Sequence, residues 1–377
     1  MENILEVTGL EKKYENFKLK GIDFSLPEGC ITGFIGINGA GKTTTINSIL
    51  DIIHRDRGNI KFFGKSLAGN EKEIKNRIGI VFDDGYFYDE LSMEEMKSII
   101  APSYSRWSDK CYRDYMERFS LDPNQRIETL SKGMKMKFSL VLALSHQADL
   151  LIMDEPTSGL DPLMRSQFLE ILKEYMKEGG KGALFSTHIV SDLEKVADLL
   201  ILIDNGEILL KEEKDILLDK YRKIKGDIAL LDEPCKKLFL NLHTTEYGFI
   251  GITSRVEEVQ RNMKSIILER PTIEEIMLAY IERRKSDVLI TKKYIILVLV
   301  IGFAIPLFIL WRVPMYSESL GFALSVIFSE FMFCQNLSMK ENHYSKVAAL
   351  IATTPYKRSE MVISKYILFV LIFLYCT

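Results

Sequence analysis

A glycine-rich segment followed directly by lysine and threonine lies early in the sequence. Residues 36–43 read Gly-Ile-Asn-Gly-Ala-Gly-Lys-Thr, the spacing GxxxxGK followed by Ser or Thr. Glycines let backbone N–H groups wrap around phosphate oxygens, and the N-terminus of a following helix favours negative charge. Lys42 would add a point charge for the β- and γ-phosphates, and Thr43 a hydroxyl for Mg²⁺. The alternative is an ordinary glycine turn, and the pattern alone does not separate transporters from kinases or GTPases. The residues that we expect to bind the nucleotide here are Gly36, Asn38, Gly39, Gly41, Lys42, Thr43 and Thr44.

A second candidate site is a pair of carboxylates at the end of an apolar run. Residues 150–153 are Leu-Leu-Ile-Met, and Asp154 and Glu155 follow them. Such a strand places Asp154 at the carboxyl edge of a parallel sheet, where ligands of these sheets bind, so that it can hold Mg²⁺. Glu155 is then placed to orient the attacking water or accept its proton. The alternative, a solvated acidic turn, weakens once a phosphate-binding loop lies upstream.

The elements that must position these residues form an alternating pattern of apolar strands and helices, which predicts an α/β fold with a parallel sheet. A strand at Ile31–Ile35 leads into the glycine loop, and a helix is expected from Lys42 to about Ile53. The region Glu90–Ala143 has helical periodicity. The remaining predicted strands, of which the first two would form an N-terminal antiparallel sheet, are Asn3–Leu10, Phe17–Leu26, Leu150–Met153, Ala183–Ser186 and Leu199–Ile203.

Three further motifs follow in order. Residues 130–134 read Leu-Ser-Lys-Gly-Met, residues 158–161 read Ser-Gly-Leu-Asp, and His188 follows Ser-Thr after a predicted strand. Taken with the glycine loop and the carboxylate pair, the first 200 residues resemble the ATP-binding domain of ABC transporters, with LSGGQ-type signature, D-loop and switch histidine. A lone histidine would more often be structural, but the ordered set is specific. The sequence offers no NKxD-like motif of the kind that a GTPase uses to read its base.

The resemblance implies a P-loop NTPase domain with a helical subdomain, ATP and Mg²⁺ as ligands, and His188 as a catalytic residue beside Glu155 and Lys42. It also implies a homodimer or a dimer with a close paralogue. In such a dimer Ser131 and the backbone of Gly133 contact the γ-phosphate held by the partner. Tyr14 lies where the family keeps an aromatic residue that stacks on adenine, although an ordinary strand-end tyrosine is the alternative.

The sequence departs from the family pattern in two places. Lys132 and Met134 replace the central Gly and the terminal Gln of the signature, a variant that resembles bacterial ABC-2-type exporters. Asp83 lies where the family usually has the Q-loop glutamine. A carboxylate there could reach Mg²⁺ or the water, so Asp83 joins Thr43 and Asp154 as a candidate metal ligand.

The last quarter of the chain changes in composition. Tyr294–Trp311 is eighteen residues without a charge, just long enough to cross a bilayer core, with a buried core helix or hairpin as the alternative. Met315–Gln335 is a second candidate span, interrupted by Glu318 and Glu330, and a third begins near Met361. The apolar run at the end of the sequence suggests a fragment or an early-ending fusion. This region resembles the start of an ABC-2-type permease.

Charge and cysteine content complete the sequence-based picture. The 377 residues have a net charge of −3, which gives no reason to expect nucleic acid. Residues 286–377 hold eight Lys/Arg and five Asp/Glu, and the basic loops around the predicted spans orient the ATPase domain to the cytoplasm. The five cysteines include no CxxC pair, so a disulfide framework or zinc site is not expected. The N-terminus lacks the apolar run of a signal peptide.

We therefore expect an ATPase that powers export through an ABC-2-type transporter at the cell membrane. The expected domains are an ABC ATPase over 1–215, with a helical subdomain at about 84–145, a C-terminal extension over 216–285, and a partial permease with about three transmembrane helices over 286–377. Soluble ABC ATPases of DNA repair or translation fit less well, because the chain has one motif set and no room for a long coiled coil. An inactive, ATP-sensing subunit remains the other alternative.

Overall fold

The structure is a computed structural model that describes residues 2–82 and 87–286. The strands are β1 Asn3–Lys13, β2 Lys18–Pro27, β3 Ile31–Ile35, β4 Arg57–Phe62, β5 Lys65–Ser66, β6 Ile78–Val81, β7 Leu150–Asp154, β8 Gly182–Thr187, β9 Leu199–Asp204, β10 Glu207–Glu213, β11 Arg222–Gly226, β12 Asn241–Thr245, β13 Gly248–Thr253 and β14 Ile266–Glu269. The helices are α1 Lys42–Ile49, α2 Glu71–Lys75, α3 Met93–Ile100, α4 Asp109–Arg118, α5 Lys132–Ser145, α6 Pro162–Met176, α7 Val190–Val196, α8 Lys214–Lys220, α9 Glu233–Lys236, α10 Val256–Asn262 and α11 over 273–286.

A six-stranded sheet forms the centre of the first compact unit, Met1–Glu282. Its strand order is β10-β9-β3-β8-β7-β6, and all neighbouring pairs except β10 with β9 are parallel. Every residue of β3, β7 and β8 is buried. Parallel strands covered on both faces are expected to be continuous apolar runs, which is the pattern that identified these three strands in the sequence.

Alternating side chains of this sheet enter two different cores. Phe34, Ile152 and Leu184 point to the face that carries α1 and the N-terminal sheet. Ile35 and Phe185 point to the opposite face, which carries α5, α6 and α7. Because successive strand residues face opposite sides, each strand is anchored from both faces, and its carboxyl end is held rigidly for the loops that follow.

Antiparallel strands at the N-terminus form the predicted second sheet, in the order β2-β1-β4-β5. The residues between β6 and β7 carry the three helices α3, α4 and α5, rather than one continuous helical run. Each begins at a serine whose side chain accepts a backbone N–H from the first turn, namely Ser92, Ser108 and Ser131. Such caps satisfy N–H groups that would otherwise lack a partner. The fold class expected from the sequence is confirmed for the ATPase region.

Residues 222–269 form a third, antiparallel sheet in the order β12-β13-β11-β14. Its buried side includes Ile224, Phe249 and Val259. The sequence-based prediction named residues 216–285 only as an extension and did not foresee this sheet. The strands have only four to six residues each, so alternation of apolar and polar residues gives little signal.

The first helix ends earlier than expected. It stops at Ile49, whereas the sequence suggested about Ile53. Asp51 has φ 58°, a left-handed conformation that ends helices, and the N–H groups of Ile52 and Ile53 turn back to the carbonyl of Asn47. Apolar residues continue past this point, which is why periodicity alone placed the end too late.

The predicted transmembrane spans and Asp83 lie outside the described residues. Within residues 2–82 and 87–286, none of the helices has both the length and the apolar character that crossing a bilayer requires. The cysteines in this part of the chain, Cys30, Cys111 and Cys235, are free thiols.

Candidate active site

Three loops that leave adjacent strands meet at the carboxyl edge of the six-stranded sheet. The strands β3, β8 and β7 are neighbours, and their ends are in register, with Ile35 opposite Thr187 and Asp154 opposite Ser186. The glycine loop, the carboxylate pair and His188 follow these strand ends directly. Sequence positions more than a hundred residues apart are therefore brought together at one edge, as the spacing of the motifs predicted.

The glycine loop closes tightly at both ends and is open in the middle. A Cβ on Gly36 would lie 2.5 Å from the carbonyl oxygen of Ile203, and one on Gly41, with φ 112°, would lie 2.6 Å from the Phe17 ring. A Cβ on Gly39 would meet nothing within 4 Å. The backbone from Ile37 to Gly39 is exposed, so its N–H groups are accessible to a ligand.

Lys42, at the start of α1, turns back over the loop. Its Nζ donates to the carbonyl of Gly36 at 2.8 Å and lies 3.1 Å from Oε1 of Glu155. The lysine side chain is 6% exposed and that of Glu155 is 13% exposed, so this is a largely buried ion pair. Glu155 therefore lies within hydrogen-bond distance of the cation that the sequence assigned to the phosphates.

His188 contacts the same carboxylate from the other side. Its Nδ1 lies 2.7 Å from Oε2 of Glu155, and its backbone N–H donates to that oxygen at 3.3 Å. The backbone N–H of Glu155 donates to the carbonyl of Ser186 at 2.9 Å. A chain of contacts thus runs from Lys42 through Glu155 to His188, and it joins all three residues that the sequence proposed as catalytic.

Asp154 is buried beside this chain. Burial raises the pKa of its carboxyl group and Glu155 adds to the rise, whereas hydrogen bonds from Thr43 and Ser186 and the charge of Lys42 lower it; the net shift is upward. The Ser186 hydroxyl donates to Oδ1 at 2.9 Å. Ser186 was not proposed as a site residue, although its place two residues before His188 at the end of an apolar strand was a usable signal.

Glu155 has an unusual backbone conformation. Its φ is 51°, in the left-handed region that non-glycine residues seldom occupy. The strain of such a residue, about 1 kcal/mol or more, is most often found where function requires a fixed side chain. The turn is held by the N–H of Ser158, which donates to the carbonyl of Glu155 at 3.0 Å. The conformation directs the Glu155 side chain towards Lys42 and His188.

Comparisons with known proteins agree with this geometry. The sequence pattern of the family described as ABC transporter matches residues 19–158. The chain is 33% identical over 226 residues to the bacitracin transport ATP-binding protein BcrA of Bacillus licheniformis, covering 59% of this chain and 74% of that protein. It is 32% identical to the uncharacterized ABC transporter ATP-binding protein YdbJ of Bacillus subtilis (strain 168), covering 71% of this chain and 83% of that protein.

The chain belongs to the ABC transporter family. A solved structure described as the ATP binding subunit of an ABC transporter superposes on it with a TM-score of 0.53 and 31% identity, covering 57% of this chain and 92% of that one. The family pattern described as ABC-2 family transporter protein matches residues 285–377. The ABC ATPase is therefore joined to an ABC-2 membrane domain in one membrane-associated chain. The sequence-based expectation of an ATPase that powers export by an ABC-2-type transporter is confirmed.

The signature segment of this ABC ATPase lies at the N-terminus of α5. The Ser131 side chain accepts the N–H of Met134 at 3.3 Å and so caps its own helix. A Cβ on Gly133 would lie 3.2 Å from the Leu160 side chain in the D-loop segment. In the described part of the chain, the contacts of Ser131 and Gly133 lie within their own helix and with the D-loop segment, and not with the glycine loop. ABC ATPase domains typically dimerise and work with a membrane permease.

Tyr14 lies in a turn that reaches the glycine loop. Its backbone N–H donates to the carbonyl of Phe17 at 2.7 Å, and the Phe17 ring is the group nearest to Gly41. The Tyr14 side chain is 44% exposed and lies beside Lys12, whose Nζ is 5.6 Å from the ring centroid. The role of Tyr14 in stacking on adenine stays a prediction from the sequence.

Proposed function

We propose that the nucleotide of this ABC ATPase binds along residues 36–44, with Lys42 on its terminal phosphates and Glu155 and His188 as the residues that act on water. The observation that carries the proposal is the contact chain from Lys42 to Glu155 at 3.1 Å and from Glu155 to His188 at 2.7 Å. A lysine, a carboxylate and an imidazole are the groups needed to hold phosphate, activate water and orient the activating base.

Competition for Lys42 links nucleotide binding to activation of water. In the structure, one oxygen of Glu155 neutralises Lys42 and the other contacts His188. Phosphate oxygens are stronger partners for the lysine, because they carry more charge and lie within the same glycine loop. Their arrival frees Oε1 of Glu155, which can then accept a proton from the attacking water. His188 keeps Oε2, and thus the orientation of the carboxylate.

The oxygen donors beside the glycine loop fit Mg²⁺. Thr43 is exposed and lowers the pKa of the neighbouring Asp154, whose net pKa is raised because the carboxyl is buried. Mg²⁺ prefers one or two such oxygens together with phosphate and water, and the described residues hold no cluster of three His, Cys, Asp or Glu that would suggest another metal. When bound, the ion would neutralise charge on the phosphates. Thr43 and Asp154 would hold it, and Asp83 is a further proposed ligand.

The second half of the nucleotide site comes, in this proposal, from a partner chain. Ser131 is exposed and begins a 14-residue helix, whose N-terminus favours an anion. Ser131 and the N–H of Gly133 would meet the γ-phosphate held by residues 36–44 of a second copy or a close paralogue. Tyr14 would stack on the adenine of its own chain.

The orientation in the membrane follows from the basic residues that flank the ABC-2 domain. Arg283, Arg284 and Lys285 directly precede it, and five more Lys or Arg residues lie between 340 and 365. Short loops rich in Lys and Arg stay on the cytoplasmic side. The ATPase domain is therefore proposed to lie on the cytoplasmic face of the cell membrane.

Lys42→Ala tests the proposal, and Lys181→Ala is its matched control. Both lysines are buried and donate to a backbone carbonyl, Lys42 to Gly36 and Lys181 to Ala148, but they lie at opposite edges of the same sheet. We expect Lys42→Ala to lower MgATP hydrolysis by the full chain about a hundredfold or more, since one preorganised cation at the phosphates is lost. Lys181→Ala should retain hydrolysis. Equal turnover in wild type and Lys42→Ala would refute the assignment.

A further inference from the structure

A buried carboxylate on the helix after His188 has no hydrogen-bond partner. Asp192 lies in the first turn of α7 and is 0% exposed. Neither of its carboxylate oxygens makes a hydrogen bond. Buried polar groups nearly always find a partner, and a buried carboxylate that lacks one requires a specific reason.

The cation that faces Asp192 comes from α6. Nε of Arg165 lies 3.7 Å from Oδ2 of Asp192, within the range of an ion pair but too long for a hydrogen bond. Nε of Arg165 also lacks a hydrogen-bond partner. The two groups therefore face each other across a gap that a small movement of one helix would close.

Each member of this pair lies one turn from a segment of the proposed site. The backbone N–H of Arg165 donates to the carbonyl of Asp161, the residue that caps α6 and ends the D-loop segment. The backbone N–H of Asp192 donates to the carbonyl of Ile189, which directly follows His188. A shift of α6 relative to α7 thus changes the distance between the D-loop segment and the histidine.

Helix α7 is the fixed member of the two. Leu193 packs so closely on β3 that a Cβ on Gly33 would lie 2.7 Å from its side chain. On the other side, the Glu194 carboxylate accepts the N–H of Ile273 at 3.1 Å, at the start of α11. Asp192 directly precedes these two anchored residues in the helix, whereas Arg165 is 28% exposed and lies on the first turn of its helix.

We propose that Arg165 and Asp192 are a positioning pair for ATP hydrolysis, which sets the D-loop segment against His188. The inference rests on the proposed function of Glu155 and His188. Neither Arg165 nor Asp192 touches the nucleotide in this account. Their attraction sets the distance between α6 and α7. In this proposal, the hydrogen bond between Arg165 and Asp192 forms when the nucleotide site is complete.

The test is a set of four variants in the full chain: Asp192→Asn, Arg165→Gln, their double variant, and Arg165→Lys. Both single changes keep the approximate size of the side chain and remove the charge attraction. We expect each to lower kcat about tenfold or more, since a misplaced catalytic group is costly, and to change the KM for ATP less than about twofold. The double variant should be no slower than either single one, because the pair acts as a unit. Arg165→Lys keeps the charge and should restore most of kcat.

A control on the same helix separates this role from general stabilisation of α6. Glu170 and Lys173 form an exposed ion pair at 3.0 Å, so Glu170→Gln removes a pair from α6 that faces solvent. We expect wild-type kcat in this control. Unchanged kcat in both single variants, additive losses in the double variant, or a Lys variant as slow as Arg165→Gln would each overturn the proposal.

Nucleotide binding distinguishes failure of this inference from failure of the proposed function. The Asp192 and Arg165 variants should bind MgATP with wild-type affinity, because Lys42 and residues 36–44 are untouched. Loss of binding in these variants, with normal binding in Glu170→Gln, would overturn the positioning role while leaving the proposed nucleotide site in place. If Lys42→Ala binds and hydrolyses ATP normally, the proposed function fails first.

Discussion

The amino and carboxyl edges of the six-stranded sheet both carry charged residues, but cations outnumber carboxylates at the first and carboxylates outnumber cations at the second. At the amino edge, the Asp149 carboxylate precedes β7 and receives Nε of Arg77 at 2.6 Å, Arg106 at 3.1 Å and Lys181 at 3.7 Å. Burial raises the pKa of Asp149, but hydrogen bonds from Arg77 and Arg106 outweigh it and hold the pKa below its usual range. Three cations surround one carboxylate, and both of its oxygens accept hydrogen bonds from within the chain.

The carboxyl edge has the reverse arrangement. Two carboxylates, Asp154 and Glu155, share one lysine, Lys42, and the pKa of Asp154 is raised rather than lowered. Here the glycine loop is open to solvent and the Thr43 hydroxyl is exposed. An edge that satisfies itself stabilises the fold, whereas an edge with spare oxygen atoms and a shared cation is prepared for a ligand. We therefore expect mutations at the carboxyl edge to lower hydrolysis and mutations at the amino edge to lower stability.

The largest effect is expected from Glu155→Gln at the carboxyl edge. Loss of the base should lower ATP hydrolysis about a thousandfold, in the range for general-base catalysis. Nucleotide binding should persist or become tighter, because glutamine no longer neutralises Lys42. Steady-state hydrolysis and equilibrium binding of MgATP by the full chain measure the two parts.

The control for that variant is Glu170→Gln on α6, which removes an exposed carboxylate paired with Lys173. It should leave both hydrolysis and binding unchanged. Normal turnover in Glu155→Gln would contradict the prediction and would remove Glu155 from the catalytic role.

Asp154→Asn should give the next largest effect and separates activity from stability. Asparagine keeps an oxygen that can accept a hydrogen bond from Ser186. It removes the carboxylate, whose pKa is raised by burial. We expect hydrolysis to fall about a hundredfold, since a ligand for Mg²⁺ is lost. The free energy of unfolding should rise by about 1 kcal/mol, because a desolvated carboxylate is no longer buried. Urea unfolding followed by Trp107 fluorescence, in a Trp311→Phe background, measures the second part.

A fall in stability together with the fall in hydrolysis would contradict this prediction. It would mean that Asp154 stabilises the fold in the way that Asp149 does, and that the contrast between the edges is not electrostatic. Ser186→Ala, which removes only the hydroxyl that donates to Asp154, is the matched control and should lower stability slightly.

The carboxyl edge was largely predictable from the sequence, and the amino edge was not. Ligand binding demands particular residue types at fixed spacings, so the glycine loop, Asp154-Glu155 and His188 were visible one after another along the chain. Parallel strands then brought them together without further information. What the motifs did not reveal was the direct pairing of Lys42 with Glu155, which depends on the left-handed backbone at Glu155.

The network at the amino edge has no comparable spacing rule. Arg77, Arg106, Asp149 and Lys181 come from four separate segments, and many other charged pairs would satisfy the same structural need. The strands of residues 222–269 were missed for a related reason, since strands of four to six residues show little alternation. Sequence motifs identify the residues of the site. The rest of the fold depends on side-chain packing and charge pairing, which only the three-dimensional structure shows.

Asp149→Asn tests the amino edge as a purely structural one. It should lower the free energy of unfolding by about 2 kcal/mol, because two charge-assisted hydrogen bonds weaken and three cations lose their counter-charge. At saturating MgATP the kcat of the folded protein should stay within about twofold of wild type. The control is Glu73→Gln, which removes an exposed pair with Lys65 and should leave the free energy of unfolding nearly unchanged. A large loss of kcat in Asp149→Asn would show that the two edges are coupled.

The smallest effect is expected at His146, which lies beside the same network. The ring is 2% exposed and is stacked on Tyr104 with centroids 3.9 Å apart. Burial, together with the charges of Arg106 and Lys181, lowers the pKa of His146 to about 4. In the unfolded chain His146 takes up a proton near pH 6.5, whereas in the folded chain it stays neutral until the pH falls to about 4. The stability contributed by neutral His146 is therefore complete above that pH and is lost as pH falls towards about 4.

The measurable consequence is the slope of stability against pH. Between pH 7 and pH 5 the titration of His146 should account for a loss of about 1 to 2 kcal/mol in the free energy of unfolding. His146→Phe keeps a ring against Tyr104 but cannot titrate, so its loss over the same interval should be smaller by that amount. His243→Phe is the matched control, since that ring is exposed and its side chain is 62% accessible. An equal slope in wild type and His146→Phe would mean that acid acts on other groups, and the amino edge would then owe its stability to Asp149 and its cations alone.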